Sequence, residues 1–352
     1  MKKIRVNVQK GYDIIIEKGL LDRTGALVSS LGLGKKAMIC SDDTVAALYL
    51  DRLLLSLTRE GYECTSFVFE HGERSKCPET YLSLLDKLAE NSFGRSDCIF
   101  ALGGGVVGDL SGFAAATYMR GIRYVGIPTT LLAATDSSVG GKCAIDIPGG
   151  KNLVGAFWQP SAVIIDPALL DTLPDEYFSD GMAEVIKYAM IRDEALIPLI
   201  EGGKAKDNIE EVIERCVCVK RDVVEEDERD TGMRAILNFG HTVAHGIEAE
   251  SGYTVSHGRA VGIGMHVICR ACVTHGICSE DTMFLLRGLL GDYSLELESP
   301  YTTDRLLARA MSDKKRDYDG ISLVLITDVG KCEVRKTPIK KVEEMFYDGI
   351  GK

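Results

Sequence analysis

The feature that most constrains the fold is a short apolar segment, Cys98–Leu102, that runs directly into three consecutive glycines. Because the residues from Leu110 onward are typical of a helix, this pattern predicts a strand, a tight turn and a helix. Gly103, Gly105 and Gly108 match the GxGxxG spacing, in which glycines let backbone N–H groups and a helix N-terminus approach a pyrophosphate. The alternative is a tight turn without a ligand, and the acidic residue that a Rossmann fingerprint carries about 20 residues further on is missing from the sequence.

Strand-like and helix-like segments alternate over the first half of the chain. Helical stretches lie at 43–60 and 79–91, and such alternation is typical of an α/β domain. The strand-like runs are Ile4–Val8, Ala37–Cys40, Cys64–Phe69, Cys98–Leu102, Tyr124–Ile127 and Val163–Ile165. From about Pro174 helical periodicity dominates, apart from a predicted hairpin at Ile321–Val334. We therefore predict an α/β N-terminal dinucleotide-binding domain over residues 1–172 and a mostly α-helical C-terminal metal- and substrate-binding domain over residues 173–352. We expect the active site in the cleft between them.

Three of the six histidines lie between positions 241 and 257. The apolar spacing after Gly240 predicts a helix that places His241 and His245 one turn apart on one face. Glu184 lies in an apolar, helix-like run, where a carboxylate is costly without a partner. Two imidazoles and one carboxylate are the ligand set of a catalytic zinc site with an open fourth position. The alternatives are ordinary core or surface histidines and, for Glu184, an ion pair with Lys187.

A stretch rich in Gly, Ser and Thr occupies residues 128–152 and contains Lys142 and Lys151. We interpret it as a loop whose backbone donors, hydroxyls and lysines would hold a phosphate or a carboxylate. A solvated loop with incidental lysines is the alternative.

Charge and composition exclude several classes of partner. The formal net charge of −11 disfavours nucleic acid and anionic membranes, and no apolar run is long enough to span a bilayer. The eleven cysteines, an odd number, and the lack of a recognisable secretory signal predict reduced thiols in the cytoplasm. The pairs Cys216/Cys218 and Cys269/Cys272 are not accompanied by further ligands at the spacing of a structural zinc site.

Taken in order, these motifs resemble the 3-dehydroquinate synthase family of the sugar phosphate cyclase superfamily. The similarity extends over essentially the whole chain, and joint occurrence of the motifs is highly specific. The matching segments are Gly104–Asp109, Pro128–Thr130, Asp136–Lys142, Gly150–Asn152, Ala183–Lys187, Val219–Lys220, Arg234–His241, His257–Gly258 and Asp313–Lys315.

This resemblance implies a homodimeric enzyme of aromatic amino acid biosynthesis, in the shikimate pathway, that depends on NAD and on Zn²⁺ or Co²⁺. It would be a phosphorus-oxygen lyase that converts 3-deoxy-D-arabino-heptulosonate 7-phosphate into 3-dehydroquinate and phosphate. The implied steps are transient oxidation by NAD, elimination of phosphate, return of the hydride and intramolecular aldol closure.

The resemblance also implies roles for individual residues. Glu184, His241 and His257 would bind the metal, and His245 would face the substrate. NAD would be bound by Asp42, Glu73, Lys76, Gly105, Val106, Val107, Gly108, Asp109, Thr129, Thr130, Lys142, Lys151, Leu169, Leu170, Asp171 and Thr172. Substrate would contact Asp136, Lys142, Asn152, Lys187, Lys220, Arg234, Asn238, His245 and Lys314, with Lys315 as the alternative to Lys314. Arg234 with Lys220 suits the carboxylate, whereas Lys142, Asn152, His245 and Lys314 suit the phosphate. Arg120 would reach the substrate phosphate of the neighbouring subunit.

Two other functions are compatible with parts of this pattern. A metal-dependent NAD polyol dehydrogenase would explain the glycines and the metal ligands, but it would not need Lys142, Lys220, Arg234 and Lys314 together. Another sugar phosphate cyclase, acting on a substrate without a carboxylate, would have less use for Arg234 and Lys220.

Overall fold

The computed structural model describes residues 1–8, 11–230, 232–313 and 320–351. The chain divides into two compact units, of which the first comprises Met1–Pro174 and Lys220–Arg229 and the second Asp175–Val219 and Asp230–Lys352. The segment Lys220–Arg229 therefore packs with the α/β part of the chain, although it lies in the range that the sequence assigns to the second domain. Among the described residues, no helix combines the length and apolar composition needed to cross a membrane.

The first unit alternates strands and helices over its continuous part. Its strands are β1 (Lys2–Val6), β2 (Tyr12–Ile16), β3 (Lys36–Asp42), β4 (Glu63–Phe69), β5 (Cys98–Gly103), β6 (Arg123–Pro128), β7 (Lys142–Ile147), β8 (Gly150–Phe157) and β9 (Ala162–Ile165). Its helices are α1 (Thr24–Val28), α2 (Asp43–Arg59), α3 (Pro78–Glu90) and α4 (Gly105–Thr117).

Seven of these strands form one sheet in the order β1-β2-β9-β6-β5-β3-β4. All neighbouring pairs are parallel except β1 and β2, which are antiparallel. From β3 the chain moves outward to β4 and then returns to β5 on the other side of β3, so the strand order reverses between β3 and β5. In open α/β sheets, ligands bind at the carboxyl ends of the strands where this reversal occurs. Asp42 and Gly103, the last residues of β3 and β5, mark that position.

Both faces of this sheet are buried. Ile39 and Phe100 belong to a hydrophobic cluster that includes side chains of α2, whereas Met38 and Ile99 belong to a second cluster that includes side chains of α3 and α4. Successive residues of one strand point to opposite faces, and the near-continuous apolar runs of β3 and β5 are therefore those expected of central parallel strands.

We interpreted residues 128–152 as a loop, but they contain regular secondary structure. Ala133–Ser137 forms a π-helical turn, and β7 pairs with β8 as an antiparallel hairpin. Cys143 and Ile145 alternate along β7 and are buried in the second hydrophobic cluster. The glycines mark turns, because Gly141 and Gly150 have positive φ values of 68° and 149°.

The second unit is mostly helical. Its elements are α5 (Asp175–Ile191), α6 (Ile197–Ile200), α7 (Ile209–Glu226), whose last residues from Lys220 belong to the first unit, α8 (His241–Glu250), α9 (His257–Thr274), α10 (Glu280–Asp292), α11 (Thr303–Asp313), β10 (Ile321–Asp328), β11 (Lys331–Thr337) and α12 (Ile339–Ile350). The predicted hairpin is confirmed, since β10 and β11 pair antiparallel.

Close backbone contacts hold α9 against its neighbours. A Cβ atom on Gly258 would lie 1.9 Å from the carbonyl oxygen of Asp180 on α5, and one on Gly264 would lie 2.1 Å from the carbonyl oxygen of Gly240. Only glycine permits approaches this short. These two contacts therefore fix the start of α9 beside α5 and the middle of α9 beside the start of α8.

Candidate active site

The side chains of Glu184, His241 and His257 converge in the second unit. Glu184 lies on α5, and the two histidines are the first residues of α8 and α9. Glu184 Oε1 lies 3.6 Å from His241 Nε2 and 3.4 Å from His257 Nε2. One potential ligand atom from each residue lies within 4.8 Å of the others. Two imidazoles and a carboxylate in this arrangement fit a catalytic divalent metal site.

The two oxygens of Glu184 have different surroundings. Oε2 contacts the ammonium group of the buried Lys187, whereas Oε1 is buried without a hydrogen-bond partner among the described residues. Burial raises the pKa of Glu184, but Lys187 and the two imidazoles outweigh it and hold that pKa well below its usual value. This ionised oxygen faces the two imidazoles at 3.4 and 3.6 Å, and a divalent cation between the three groups would compensate its charge.

Each histidine presents Nε2 to this carboxylate. His241 Nδ1 lies 3.1 Å from the carbonyl oxygen of Phe239, and burial lowers the pKa of His241 to about 3. The ring is therefore neutral, with its proton on Nδ1 and its lone pair on Nε2. Burial also disfavours charge on His257, but Glu184 and Glu248 raise its pKa to about 10. A metal ion at His257 Nε2 would replace the proton that otherwise lies between these groups.

Two acidic residues that the sequence analysis did not select support this cluster. Glu248, on α8, is buried and its Oε1 atom lies 3.6 Å from His257 Nδ1. Asp180, one turn before Glu184 on α5, accepts hydrogen bonds from the backbone N–H groups of Gly258 (2.7 Å) and Arg259 (3.2 Å). In the sequence, the only indication of a role was an acidic residue within a helix-like segment that is expected to be buried. What each residue contacts becomes apparent only from the packing of α5, α8 and α9.

The other residues predicted in the second unit differ in exposure. Lys187 and Arg234 are buried, at 2% and 3% exposure, and Arg234 lies on the 3₁₀ turn Met233–Asn238 that precedes α8. Asn238 and His245 are exposed. The His245 ring lies 5.7 Å from that of His241, between centroids, so the predicted i, i+4 pair is adjacent while only His241 reaches Glu184. Lys314 and Lys315 lie outside the described residues.

In the first unit, the glycine-rich turn leads from β5 into α4. Gly104 precedes the helix without a side-chain cap, which leaves backbone donors at this N-terminus for a ligand. A Cβ on Gly104 would lie 3.1 Å from Thr130 Cγ2, so the turn fits closely against the end of β6. Beside it is a small pocket, lined by residues that include Asp109 and Lys142. Thr129 Oγ1 is buried here without a hydrogen-bond partner among the described residues.

A charged cluster brings together five residues predicted from the sequence. The buried Lys76 ammonium lies 2.9 Å from Glu73, 3.3 Å from Asp109 and 2.8 Å from the side-chain oxygen of Asn152. Lys151 lies 3.5 Å from the same Glu73 carboxylate. Burial lowers the pKa of Lys76, but the surrounding carboxylates outweigh it and raise that pKa.

Two carboxylates of this cluster are less easily ionised. Burial raises the pKa of Asp109 to about 6, although Lys76 opposes the shift. Asp146, which the sequence analysis did not select, accepts a hydrogen bond from the backbone N–H of Asn152 at 2.8 Å, and burial raises its pKa as well. The cluster thus joins α4, the β7–β8 hairpin and the turn before α3.

Other predicted residues of the first unit occupy separate positions. Lys220 Nζ contacts the Asp136 side chain at 2.9 Å and donates to its carbonyl oxygen at 2.6 Å. Asp42 accepts a hydrogen bond from Val45 N–H at the start of α2. Leu169, Leu170, Asp171 and Thr172 lie in one 3₁₀ turn, in which the Leu169 carbonyl and the Thr172 hydroxyl contact the Tyr49 hydroxyl. Arg120 is exposed, with a positive φ of 68°.

Family models match both parts of the chain. A model described as 3-dehydroquinate synthase N-terminal matches residues 66–180, and one described as 3-dehydroquinate synthase C-terminal matches residues 181–316. The chain is 43% identical to a 3-dehydroquinate synthase of Clostridium kluyveri over 99% of each chain. It is 44% identical to one of Clostridium acetobutylicum over 97% of this chain and 98% of the relative.

Among solved structures, the chain is similar to a 2-epi-5-epi-valiolone synthase from Streptomyces hygroscopicus subsp. jinggangensis with NAD⁺ and Zn²⁺ bound. The TM-score is 0.87 at 27% sequence identity, and the match covers 96% of each chain.

Proposed function

The chain belongs to the 3-dehydroquinate synthase family, and from this premise we propose that it converts 3-deoxy-D-arabino-heptulosonate 7-phosphate into 3-dehydroquinate and phosphate. The enzyme is then a phosphorus-oxygen lyase that depends on NAD and on Zn²⁺ or Co²⁺. The observation that carries the proposal is the convergence of Glu184, His241 and His257 in a chain that matches its relatives over nearly its full length.

The metal would be held by Glu184 Oε1, His241 Nε2 and His257 Nε2. Lys187 neutralises the other oxygen of Glu184, so the site contains one compensated and one uncompensated carboxylate oxygen. The Phe239 carbonyl keeps the proton of His241 on Nδ1, which leaves the Nε2 lone pair for coordination. When bound, the cation would polarise and acidify the vicinal hydroxyls of the substrate, and NAD would accept a hydride and later return it.

Part of the set proposed for NAD lies at the carboxyl ends of three strands: Asp42 ends β3, Gly105–Asp109 follow β5, and Thr129 and Thr130 follow β6. The strand order reverses between β3 and β5. The uncapped start of α4 suits a pyrophosphate, and Thr129 offers a buried hydroxyl that has no other partner among the described residues. Lys76 and Lys151 supply positive charge beside Glu73 and Asp109.

The substrate carries a carboxylate and a phosphate, and each requires cationic donors. We assign the carboxylate to Arg234 and Lys220, because a buried guanidinium is suited to bidentate contact with a carboxylate. We assign the phosphate to Lys142, Asn152, His245 and Lys314. Asp136 would orient Lys220, whose ammonium it contacts at 2.9 Å.

The decisive experiment supplies Zn²⁺- or Co²⁺-loaded protein with the heptulosonate phosphate and a trace of NAD. Inorganic phosphate and absorbance of NADH are followed together. The proposal predicts many equivalents of phosphate per NAD and no lasting NADH, because the cofactor is restored in each turnover. Glu184→Gln should abolish phosphate release, whereas Glu176→Gln, an exposed carboxylate on the same helix, should retain it.

The other candidate functions give different results in this assay. A polyol dehydrogenase would accumulate NADH with a simple alcohol and release no phosphate. Another sugar phosphate cyclase would release phosphate faster from a hexose phosphate without a carboxylate than from the heptulosonate phosphate. Either result would reject the proposed substrate.

We also propose that the enzyme works as a homodimer in the cytoplasm. The exposed Arg120, for which the family resemblance implies a role in the neighbouring subunit, supports the dimer. An odd number of cysteines supports a reducing compartment. Light scattering of the purified chain gives its mass in solution, and a monomeric mass at working concentrations would exclude the dimer.

A further inference from the structure

The side chain of Gln159 contacts the two segments of the first unit that carry Lys142 and Lys220. Gln159 is half-buried and lies two residues after the end of β8. Its amide contacts Gly141, directly before β7, and Glu228, two residues after the end of α7. The sequence analysis did not select Gln159, and it has no part in the site described above.

The backbone on both sides of Gln159 is restrained. The backbone N–H of Trp158 donates to the carbonyl oxygen of Gly141 at 2.7 Å, and the indole N–H of Trp158 donates to the carbonyl oxygen of Ile122 at 2.9 Å. The next residue is Pro160, whose ring fixes its own φ. The side chain of Gln159 therefore starts from a well-defined position, and its contacts are equally well defined.

The amide of Gln159 packs with its flat face on Gly141. A Cβ atom on Gly141 would lie 2.8 Å from Cδ of Gln159 and 2.9 Å from each of Oε1 and Nε2. These nearly equal distances mean that the plane of the amide faces the glycine. Gly141 also has a positive φ of 68°, which glycine adopts without strain. Lys142 follows directly, so the start of β7 is fixed against Gln159.

The same amide binds the end of α7. Gln159 Nε2 donates to Glu228 Oε1 at 3.0 Å. The N–H of Asp227 donates to a carbonyl oxygen one turn earlier at 3.0 Å, so helical hydrogen bonding continues to the residue before Glu228. Lys220 lies about two turns earlier on α7 and is buried. A contact at Glu228 therefore restricts the position of the helical turns that carry Lys220.

Glu228 determines which way the amide of Gln159 points. An ionised carboxylate only accepts hydrogen bonds, so the amide must present its NH₂ group to Glu228. The amide oxygen, Oε1, is then buried without a hydrogen-bond partner among the residues that the structure describes. The hydrogen bond to Glu228 is thus the polar contact that orients this side chain.

We propose that Gln159 is a positioning residue for substrate binding. It fixes Lys142 through its packing on Gly141, and it fixes Lys220 through its hydrogen bond to Glu228. This inference rests on the proposed function, in which Lys142 binds the phosphate of the substrate and Lys220 binds the carboxylate. The separation of the two ammonium groups must then match the length of the substrate, because charge-assisted contacts at both ends depend on correct placement. A single side chain that contacts both segments sets that separation.

A reciprocal exchange of the two side chains tests the hydrogen bond. Gln159→Glu keeps the shape of the side chain but places two carboxylates against each other, and it should weaken binding of the heptulosonate phosphate by at least about 10-fold. Adding Glu228→Gln restores a donor and an acceptor in the opposite direction and should recover most of that loss. A loss of packing alone would not be recovered by the second substitution. Calorimetry on Zn²⁺-loaded protein freed of NAD measures binding without turnover.

A second pair of variants leaves Gln159 in place. Glu228→Ala removes the acceptor and should weaken substrate binding by at least about 3-fold, whereas Glu226→Ala removes an exposed carboxylate at the end of α7 and should leave binding unchanged. Equal substrate affinities for these two variants, unchanged affinity in Gln159→Glu, or no recovery in the double variant would overturn the role of Gln159 and leave the proposed function standing. A lack of substrate binding by the unaltered protein would overturn both.

Discussion

The imidazole of His257 lies between two carboxylates: its Nε2 atom is 3.4 Å from Glu184 Oε1, and its Nδ1 atom is 3.6 Å from Glu248 Oε1. A carboxylate on the far side of a metal-binding histidine fixes the ring orientation and makes the coordinating nitrogen more basic. Glu248 therefore acts on the proposed metal through His257.

Glu248→Gln should weaken Zn²⁺ binding by about 10- to 100-fold, since the amide keeps an acceptor oxygen but loses the charge. The dissociation constant is measured on metal-free protein by competition with a chromogenic chelator, so the readout is independent of turnover. Glu250→Gln is the matched control, because Glu250 lies on the same helix and pairs with Arg305 and Arg309. Equal Zn²⁺ affinities for the two variants would show that Glu248 does not contribute to metal binding.

Gly258→Ala should lower the free energy of unfolding by about 3 kcal/mol or more, because the added methyl would lie 1.9 Å from the Asp180 carbonyl oxygen. It should also weaken metal binding, since α9 carries His257 at its first position. A methyl group added to the exposed Gly288 in α10 would meet no atom within 4 Å, and Gly288→Ala should stabilise by about 0.5–1 kcal/mol. Urea denaturation gives the free energy of unfolding of both variants. An unchanged value for Gly258→Ala would contradict the observed packing.

Asp109 should make stability depend on pH. Burial raises the pKa of its carboxyl from 3.8 to about 6 in the folded chain, so the folded state binds this proton more tightly than the unfolded state. The stability of the folded state therefore falls as pH rises from about 4 to about 6, by about 3 kcal/mol, and stays lower above that range. Asp109→Asn should show a flatter profile between those pH values and higher stability at neutral pH. Parallel profiles for the two proteins would show that Asp109 ionises normally.

Arg234→Ala should weaken binding of the heptulosonate phosphate by about 30-fold or more, because a charge-assisted contact with its carboxylate is worth about 2 kcal/mol. NAD affinity should be unchanged. Calorimetry with each ligand separates these effects, and Arg234→Lys should recover part of the loss. The exposed Arg192 after α5 provides a control, Arg192→Ala, that should bind both ligands normally. Unchanged substrate affinity in Arg234→Ala would reject the assignment.

The motifs in the sequence were sufficient for the family, the α/β and helical parts, and the Glu184–His241–His257 convergence. Family and cofactor type followed from motif order, and 43% identity over the whole chain confirms the family. The hairpin β7–β8 was missed because glycines and hydroxyl residues in 128–152 favour a loop locally, whereas burial of Cys143 and Ile145 against the sheet depends on distant residues.

Supporting carboxylates were harder to find than the ligands they support. Glu248 and Asp146 contact residues that are near in sequence, His257 and Asn152, but no motif indicates these contacts. Asp180 and Gly258 are brought together only by helix packing. Local spacing can suggest a ligand such as His241, but it carries no information about contacts across more than 70 residues of chain.

Both histidines of the proposed metal centre begin helices, and the start of a helix carries a partial positive charge that repels cations. A dication placed there would ordinarily meet an unfavourable field. Asp180 accepts hydrogen bonds from two backbone N–H groups at the start of α9, and its carboxyl group offsets the partial positive charge of that end. Asp180 therefore has two roles at this position: it holds α5 against α9, and it makes the electrostatic potential at the start of α9 more favourable for a bound cation.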